Sequence, residues 1–591
     1  MAGSGGSADE LGGDREAAAA STKQRGEHEL SPLKARAAEQ RTRDLRSIVV
    51  AFLLLCAGVT LALVAQLMLG EGEVVPLGAA TTPHEACSGV AAKTLQAGGS
   101  AVDAAIAATL CVGVVHPDLS GLGAGGFMLV YEHVSKKTAL LDFRCVASSS
   151  YDASKVENQQ ALDRTALGIG VPGLVAGMWE AHRRFGRLPW ADLFAPSIRL
   201  AEKGYAFTEK GAVDLEKRRA DLEQLRSSPA AASTSLFVKQ LGSRQRGELV
   251  TRADLATLYR SLASGGRDAF YEGRLAEEMV AAVRAAGGFM TTADLRAYRV
   301  VERKPLNATI GGATVLTAPA PASGALLLGI LRDLENFISD ANTTSDRSST
   351  SDAYLDVLSK SVEASYRCRS KLGDPLQSAE VASNEAHLAE SLIDADCRAE
   401  QLAPPSRGTS HVNVVDNDEM FVALSSSVNW PFGSLVMTES GVLFNNDLAD
   451  FSSLQPFNSI KPGMRPVSSM TPVVVYNSSR LCMARFAAGG VGGTYIVQGM
   501  AQLLANALLF QKPAREAVTD WRLYCDPQCH VSDLTGTFKK SNSQLAVSTD
   551  YKSLLSMVEK VEDDVVAVVE KRWNWNAVRY KGRRILKSVG P

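Results

Sequence analysis

Gly408-Thr409-Ser410-His411 leads into the strand-like segment 412–415 and begins the stretch of sequence that decides the fold. If the backbone is cut before Thr409, the new terminal threonine carries a hydroxyl nucleophile and an amine that serves as its base. The tetrapeptide alone predicts almost nothing, because such short strings occur by chance. The case for a site comes from polar residues further along the chain: Asn429, Asp447, Asp450, Ser468 and Ser469.

Composition and charge limit the class of protein. The chain has 591 residues, of which 46% are hydrophobic and 21% are charged, as in ordinary globular proteins. Its formal net charge of −2 gives no electrostatic support for binding nucleic acid. We therefore predict a folded protein with no nucleic-acid partner.

Residues 48–69 (IVVAFLLLCAGVTLALVAQLML) carry no charge, and a helix of this length crosses a hydrocarbon core of roughly 30 Å. Arg43 and Arg46 precede the segment, whereas Glu71 and Glu73 follow it, so the positive-inside rule places the N-terminus in the cytosol. A buried core helix is the alternative, but the polar flank favours a membrane span. We predict a disordered cytosolic tail (1–47), a transmembrane signal anchor (48–69) of the plasma membrane or a secretory-pathway membrane, and a stalk (70–83).

Glycosylation sequons and cysteines agree with a position outside the cytosol for the rest of the chain. Asn307, Asn342 and Asn477 each begin a sequon. Outside the span, the cysteines are expected in an oxidising compartment, where disulfides persist, but spacing does not fix their pairing. Cys525-x-x-x-Cys529-His530 lacks a second pair of zinc ligands, so a disulfide or free thiols are favoured there.

The glycine-rich segment 121–126 (GLGAGG) matches the dinucleotide-binding pattern G-x-G-x-x-G. In a nucleotide site the glycines follow a strand and precede a helix. Here a helix-like segment (91–112) comes first and a strand-like FMLVYE (127–132) follows, so we interpret the glycines as a tight backbone path. Short strands alternate after residue 408, with helices expected near 495–509 and 551–559, which favours one mixed α/β domain.

Several segments in a fixed order make the chain similar to a known family. They are AGGSAVDAAIAATLCVGVVHPDLSGLGAGGFMLVYE (97–132), LDFR (141–144), GVPGLVAGMWEAHRRFGRLPWADLFAPSIRLAEKGY (170–205), GGFMTTADLRAY (287–298), TSH (409–411), NNDLADFS (445–452), PGMRPVSSMTP (462–472) and GGVGGT (489–494). Together they resemble the γ-glutamyltransferase family, from about residue 84 to about residue 512.

The resemblance implies an N-terminal-nucleophile hydrolase fold, an αββα sandwich in which two stacked sheets lie between layers of helices. It also implies a precursor that cuts itself between Gly408 and Thr409. The large-subunit part of the catalytic domain (84–408) and the small-subunit part (409–591) would stay together as a heterodimer. The substrates would be extracellular glutathione and its conjugates, with water, an amino acid or a peptide as acceptor, and no metal or organic cofactor.

The resemblance further assigns roles by position in the matching segments. Thr409 would be the nucleophile, and Ser427 stands where the family usually has a threonine that supports it. Arg144, Ser468 and Ser469 would bind the α-carboxylate of the γ-glutamyl group. Its ammonium would be held, on the opposite side, by Asn429, Asp447 and Asp450. The remaining assignments are oxyanion donors at Gly492 and Gly493 and a disulfide between Cys87 and Cys111.

Other interpretations remain open at this stage. Taken singly, Arg144 could form a surface ion pair, and Asp447 and Asp450 could cap a turn. Cys145 follows Arg144 where the family usually has a glutamate. Two alternative functions follow: a catalytically weakened member that acts as a membrane-bound interaction or regulatory protein, and an amidase of another specificity that would tolerate loss of Arg144.

Overall fold

The structure is a computed structural model that describes residues 36, 39–41, 43–64, 78–340, 348–397, 408–452, 455–477, 485–520, 522–525, 531–533, 554–561, 564–569, 577–581 and 584–587, with backbone alone from 524 onward. Asn342, Cys482, Cys529 and most of the expected tail and stalk lie outside the described residues. The chain divides into two units, residues 1–74 and residues 75–591.

Strands and helices alternate through the second unit. The described strands are β1 (Gly78–Thr81), β2 (Gly125–Glu132), β3 (Lys137–Asp142), β4 (Tyr205–Ala206), β5 (Leu249–Val250), β6 (Val301–Arg303), β7 (Leu306–Ile310), β8 (Ala313–Thr317), β9 (Gly408–Asp416), β10 (Met420–Asn429), β11 (Val473–Tyr476), β12 (Arg485–Val491), β13 (Leu523–Cys525), β14 (Val531–Asp533), β15 (Leu554–Val561), β16 (Asp564–Val569), β17 (Ala577–Lys581) and β18 (Arg584–Lys587).

The described α-helices include one in the first unit, α1 (Glu39–Val64). Those of the second unit are α2 (Glu85–Gln96), α3 (Ala101–Val115), α4 (Gln159–Arg164), α5 (Leu174–Phe185), α6 (Ala195–Lys203), α7 (Glu209–Lys217), α8 (Arg219–Leu225), α9 (Ala231–Gln240), α10 (Ala253–Gly265), α11 (Asp268–Tyr271), α12 (Gly273–Ala285), α13 (Thr292–Ala297), α14 (Gly324–Ser339), α15 (Asp352–Cys368), α16 (Ala379–Glu390), α17 (Tyr495–Leu504) and α18 (Ala514–Thr519).

Two large antiparallel sheets form the centre of the second unit. Among the described strands, the first sheet has the order β18-β17-β1-β9-β10-β2-β3-β6 and the second has the order β16-β15-β12-β11-β8-β7. Side chains alternate between the two faces of a strand. On β2, Phe127 and Leu129 enter a core between the sheets, whereas Met128 and Val130 face the helices.

Helices cover the outer face of each sheet. α2, α3 and α5 pack on the first sheet, and α14 and α17 pack on the second. The core between the sheets contains side chains from both, such as Phe421 of β10 and Val474 of β11. The order helix, sheet, sheet, helix confirms the predicted αββα sandwich.

Strands β9 and β10 position the candidate nucleophile. All of their residues are buried, which fits the run of β-branched valines in β9. Their antiparallel register places Ser427 opposite Thr409 and Asn429 opposite Gly408. Two residues that are distant in sequence therefore become direct cross-strand neighbours.

Two predicted helices differ in the structure. The helix expected over 91–112 is two helices, because Gly98 takes a φ of +88° and Ser100 then begins α3. Ser100 and Asp103 form a reciprocal cap, with N–H to oxygen distances of 3.0 and 3.1 Å. The helix expected near 551–559 is wrong: β15 occupies that position, where β12 and β16 pair with it on either side.

The described residues include two disulfides and one long apolar helix. Cys87 is bonded to Cys111, joining α2 to α3, as the family resemblance implies. Cys368 is bonded to Cys397, a pairing that spacing left open. Among the described residues, α1 is the one helix long and apolar enough to cross a membrane.

Candidate active site

The hydroxyl groups of Thr409 and Ser427 lie 3.2 Å apart, and both residues are buried. Ser427 Oγ donates a hydrogen bond to the carbonyl oxygen of Gly408 at 3.0 Å and accepts one from the Asn429 N–H at 2.9 Å. Because the single hydroxyl proton of Ser427 is used on Gly408, the Thr409 hydroxyl is the donor in the Thr409–Ser427 contact. The lone pairs of Thr409 Oγ1 therefore remain available for attack.

Asn429 sits at an irregular point of β10. The pairing with β9 shifts register between Ser427 and Asn429, and Asn429 has a φ of +71°. At this bulge the amide side chain of Asn429 reaches Asn446, the residue before Asp447, and its Nδ2 donates to the Asn446 carbonyl at 3.1 Å. Its Oδ1 is buried without a hydrogen-bond partner among the described residues, so an acceptor remains for a bound cationic group.

Arg144, Asp447 and Asp450 are in direct contact. Arg144 Nη1 lies 2.6 Å from Asp447 Oδ2, and Arg144 Nη2 donates to Asp450. Arg144 is 1% exposed and Asp447 is fully buried. Burial opposes the charge of Arg144, but the carboxylates of Asp447 and Asp450 outweigh burial and raise the pKa of Arg144. Burial raises the pKa of Asp447, although Arg144 acts in the opposite direction.

The two aspartates lie on one short 3₁₀ turn, Asp447–Asp450. Asn445 fixes the start of this turn, since its Oδ1 accepts from the N–H of Asp447 at 2.9 Å and its Nδ2 donates to the carbonyls of Gly123 and Gly170. The glycine-rich segment thus supports the site. At position 123 a Cβ would lie 2.1 Å from the carbonyl oxygen of Leu443, which explains the need for glycine.

Ser468 and Ser469 lie in a segment without regular secondary structure beside Arg144. Arg144 Nε donates to the carbonyl of Pro466 at 3.5 Å. Asn458 links the same segment to the aspartates, because it donates to the carbonyl of Asp450 at 2.7 Å and accepts from the N–H of Val467 at 3.0 Å. The backbone just before the two serines is therefore linked to the Arg144 cluster by hydrogen bonds.

Arg369 is a site residue that the sequence reasoning missed. It follows α15, and its Nη1 donates to Ser469 Oγ at 3.0 Å. No motif around it signals this role, since an arginine after a helix is usually an exposed residue. Asn445, Asn446 and Asn458 were also unassigned, although the first two stand in a segment that resembles the family.

Gly492 and Gly493 form the turn between β12 and α17. Their φ angles are +124° and +62°, in the region that favours glycine. β12 faces β9 across the sandwich, and a Cβ on Gly489 would lie 2.1 Å from the ring of His411. The structure thus places this turn at the end of the strand packed against the one that carries Thr409.

Cys145 is a buried free thiol beside the cluster. A Cβ at Gly125 would lie 2.8 Å from its Sγ, and one at Gly170 would lie 2.9 Å from its Cβ. Burial, together with the nearby Asp447 carboxylate, raises the pKa of Cys145 well above its usual value. The thiol therefore stays protonated and offers no negative charge to Arg144. The carboxylates of Asp447 and Asp450 orient Arg144.

The described sequon residues differ in accessibility. Asn307 on β7 is exposed. Asn477 is 8% exposed, and its Nδ2 donates to the carbonyl of Gly312 at 3.2 Å. Attachment of a sugar needs a free amide nitrogen, so the structure favours Asn307 over Asn477 as an acceptor.

Comparisons with known proteins agree with the geometry. The fold is that of the N-terminal-nucleophile hydrolases: a cephalosporin acylase from Bacillus halodurans superposes with a TM-score of 0.73, at 22% identity, over 86% of this chain and 97% of that protein. Within this class, a sequence model of the gamma-glutamyltranspeptidase family matches residues 87–576, and the chain belongs to that family.

Two relatives show how far the similarity extends. Glutathione hydrolase 7 of Rattus norvegicus is 32% identical over 95% of this chain and 86% of its own length. The glutathione hydrolase proenzyme of Pseudomonas aeruginosa is 32% identical over 76% of this chain and 82% of its own length. The similarity thus includes both the segment before Thr409 and the segment after it.

Proposed function

We propose that the chain is a self-cleaving γ-glutamyl hydrolase and transferase that uses Thr409 as its nucleophile. One observation carries the proposal: the Ser427 hydroxyl bonds the carbonyl of Gly408 while it also contacts Thr409 Oγ1. The Thr409 hydroxyl and the Ser427 hydroxyl thus both lie at the peptide bond between Gly408 and Thr409, the first as nucleophile and the second as hydrogen-bond donor to its carbonyl. Membership of the gamma-glutamyltranspeptidase family supports the substrate class.

Self-cleavage is an acyl shift followed by hydrolysis. Thr409 Oγ1 attacks the carbonyl carbon of Gly408, and Ser427 donates a hydrogen bond to the oxyanion that forms. The C–N bond to Thr409 breaks, the nitrogen takes the proton that the hydroxyl loses, and an ester remains. Water then hydrolyses the ester, which leaves a carboxylate on Gly408 and a free amine on Thr409.

The cut protein would use the same threonine for turnover. Thr409 Oγ1 attacks the γ-carbonyl of glutathione or a conjugate, its proton passes to the α-amine directly or through water, and the cysteinyl amine leaves protonated. We assign stabilisation of this second oxyanion to the N–H groups of Gly492 and Gly493. Water or the amine of an amino acid or peptide then attacks the γ-glutamyl ester and releases Thr409.

When the γ-glutamyl group binds, its own charged groups would replace the ion pairs that Arg144 forms with Asp447 and Asp450. The α-carboxylate takes a place on Arg144, with Ser468 and Ser469 as hydroxyl donors. The α-ammonium binds Asp447, Asp450 and Asn429 Oδ1, which has no hydrogen-bond partner within the described part of the chain. Because the substrate brings one charge of each sign, its binding adds no net charge to the cluster, which limits the desolvation penalty.

The location of the enzyme follows from the first unit. We assign α1 as a single membrane anchor with the N-terminus in the cytosol, because arginines precede the apolar segment and glutamates follow it. The catalytic part would then act on extracellular or luminal glutathione. The disulfides and the exposed sequon at Asn307 support this side of the membrane.

The test compares the full-length wild type in detergent with Thr409→Ala, using Ser410→Ala as the control. Ser410 adjoins the nucleophile, but its hydroxyl bonds Ser426 at 2.8 Å instead. Gels with N-terminal sequencing report a fragment that begins at Thr409, and a γ-glutamyl anilide reports turnover. We expect Thr409→Ala to lose both and Ser410→Ala to keep both. A folded wild type that is uncut and inactive would leave the non-catalytic membrane protein as the better interpretation.

Arg144→Gln separates γ-glutamyl transfer from an amidase of another specificity. The variant should lose turnover of a γ-glutamyl anilide, since the α-carboxylate then has no bidentate partner. An anilide of a simple acid without the α-carboxylate is the comparison substrate. Unchanged turnover of the γ-glutamyl donor by the variant would favour the other amidase.

A further inference from the structure

The segment that carries Ser468 and Ser469 is held by two guanidinium groups. Arg144 donates to the carbonyl of Pro466, and Arg369 Nη2 donates to the next carbonyl, that of Val467, at 3.3 Å. Arg369 Nη1 also donates to Ser469 Oγ at 3.0 Å and to Ser323 Oγ at 3.3 Å. Arg369 thus forms hydrogen bonds with both the backbone and a side-chain hydroxyl of the segment expected to bind the α-carboxylate.

The partners of Arg369 in these hydrogen bonds are hydroxyl and carbonyl oxygens, whereas Arg144 is paired with two carboxylates. Burial lowers the pKa of Arg369, Asp450 acts against this, and the positive charge of Arg144 adds to it. Arg369 is half-buried, and the hydroxyl and carbonyl oxygens that it contacts do not neutralise its positive charge. An anion bound between the two arginines would supply the missing partner.

The balance of charges around Arg144 also favours a role for Arg369 in binding an anion. The cluster of Arg144, Asp447 and Asp450 alone carries one excess negative charge, which would repel the α-carboxylate of a substrate. With Arg369 included, two guanidinium groups balance two carboxylates. A γ-glutamyl group that is zwitterionic at its α-carbon then enters a neutral site.

Arg369 also sets the direction of the Ser469 hydroxyl. Since Ser469 Oγ accepts from Arg369, its own proton is free to be donated elsewhere. Ser323 also holds the backbone of this segment in place, because it donates to the carbonyl of Ser468 at 2.7 Å. Arg369 itself is anchored, because the preceding Cys368 is bonded to Cys397.

We infer that Arg369 is a second specificity residue for the α-carboxylate of the γ-glutamyl donor, acting by its charge and by orienting Ser469. The inference rests on the proposed function and adds to it a residue that lies between the short segments quoted for the family resemblance. It predicts a binding effect that depends on the substrate carboxylate, rather than a general loss of folded enzyme.

The experiment uses full-length protein in detergent and two donors: a γ-glutamyl anilide and the same anilide with its α-carboxylate replaced by a carboxamide. Arg369→Met should raise KM for the carboxylate donor about 10- to 100-fold, with kcat changed less than about threefold. For the carboxamide donor its KM should match that of the wild type. Arg369→Lys, which keeps the charge but not the paired donors, should recover part of the loss.

Arg367→Met is the matched control. Arg367 lies two residues earlier and forms a partly exposed ion pair with Glu363, so its loss should leave both KM values unchanged. KM does not depend on the fraction of active molecules, so partial misfolding does not imitate the expected result. If Arg369→Met is not cut, Arg369→Lys carries the test on its own.

Equal KM values in Arg369→Met and wild type for the carboxylate donor would overturn the inference, as would an equal rise for both donors. A wild type that turns over neither donor would instead overturn the proposed function. In that case the Kd of L-glutamate decides the role of Arg369: a loss of about tenfold or more in Arg369→Met supports it, and an unchanged Kd refutes it.

Discussion

Ser427 donates its hydroxyl proton to the carbonyl oxygen of Gly408 at 3.0 Å, across the pair of strands that also sets it beside Thr409. The hydrogen bond polarises the carbonyl of the peptide bond that we propose to be cut. It needs no rearrangement, because the strand register alone brings the residues together. We therefore propose that Ser427 acts in precursor cleavage as well as in support of the nucleophile.

Removing this donor should slow self-cleavage more than it affects folding. We expect Ser427→Ala to reduce the rate of appearance of the fragment beginning at Thr409 about 100-fold, as for loss of one oxyanion donor. Ser427→Thr keeps a hydroxyl at the same position and should retain most of the rate. The measurement is a time course of precursor and fragments on gels after synthesis.

Ser425→Ala is the control for Ser427. It lies on the same face of β10, but its hydroxyl bonds His411 Nδ1 at 2.8 Å rather than Gly408. If Ser427→Ala and Ser425→Ala cleave at the same rate, the oxyanion role of Ser427 is wrong.

Much of the fold was predictable, because in many segments the pattern of residues favours the same secondary structure that tertiary packing imposes. The valine-rich β9 is a strand both by propensity and by its central place in a buried sheet. The candidate residues around Thr409 were found only because whole segments resemble a family. Spacing along the chain does not reveal that Ser427 faces Thr409, since that depends on the register of β9 and β10.

The rest could not be predicted, for physical reasons. The segment that forms β15 has a helix-like pattern, and pairing with β12 and β16 overrides it. The family resemblance implies separate roles for Arg144 and for Asp447 and Asp450, but it does not reveal that these three side chains are in direct contact. Arg369 was missed because the role that we infer for it depends on tertiary contacts, with Ser323, Val467 and Ser469.

The Arg144 cluster should also control stability. In Arg144→Gln the fully buried Asp447 loses its cation, which should reduce the free energy of unfolding by about 3–5 kcal/mol. Arg144→Gln with Asp447→Asn removes the buried charge together with its partner and should recover much of this loss. Urea unfolding in a Thr409→Ala background, where the chain stays in one piece, measures both.

The pH dependence of this loss has a definite sign. The pKa of Asp447 is already raised by burial, and loss of Arg144 should raise it further. A folded carboxyl with a raised pKa favours folding at low pH, so Arg144→Gln should approach the wild type as pH falls. A deficit that stays constant with pH, or no recovery in the double variant, would contradict the ion-pair explanation.

Glu385 should make the protein less stable as pH rises through neutrality. Burial raises its pKa to about 7, and its Oε1 accepts from the N–H of Ala320, next to the Pro321 carbonyl that bonds the Ser468 N–H. Because the folded pKa lies above the unfolded one, this contribution is complete below about pH 4.5 and is lost as pH rises through about 7. The loss is about 3 kcal/mol by pH 8.

Glu385→Gln keeps an acceptor for Ala320 and removes the titration. It should be more stable than the wild type at pH 8, and its unfolding midpoint should change less between pH 5.5 and 8. Glu390→Gln, at the exposed end of the same helix, is the matched control. The idea fails if Glu385→Gln and Glu390→Gln follow the wild-type pH profile equally.

A glutamate in place of Cys145 should harm the protein, although the family resemblance implies a glutamate at that position. Residue 145 is packed against Gly125 and Gly170, and the Asp447 carboxylate lies nearby, so a longer acidic side chain meets both steric and charge repulsion. Overpacking alone costs about 1–3 kcal/mol, and a further buried carboxylate adds to that. Cys145→Glu should therefore unfold at a lower temperature and cleave itself less completely, whereas Cys145→Ser, of similar size, should cleave normally. Thermal unfolding followed on the same samples as the cleavage gels gives both readouts, and a Cys145→Glu protein as stable as the wild type would show that the cavity adapts to the larger residue.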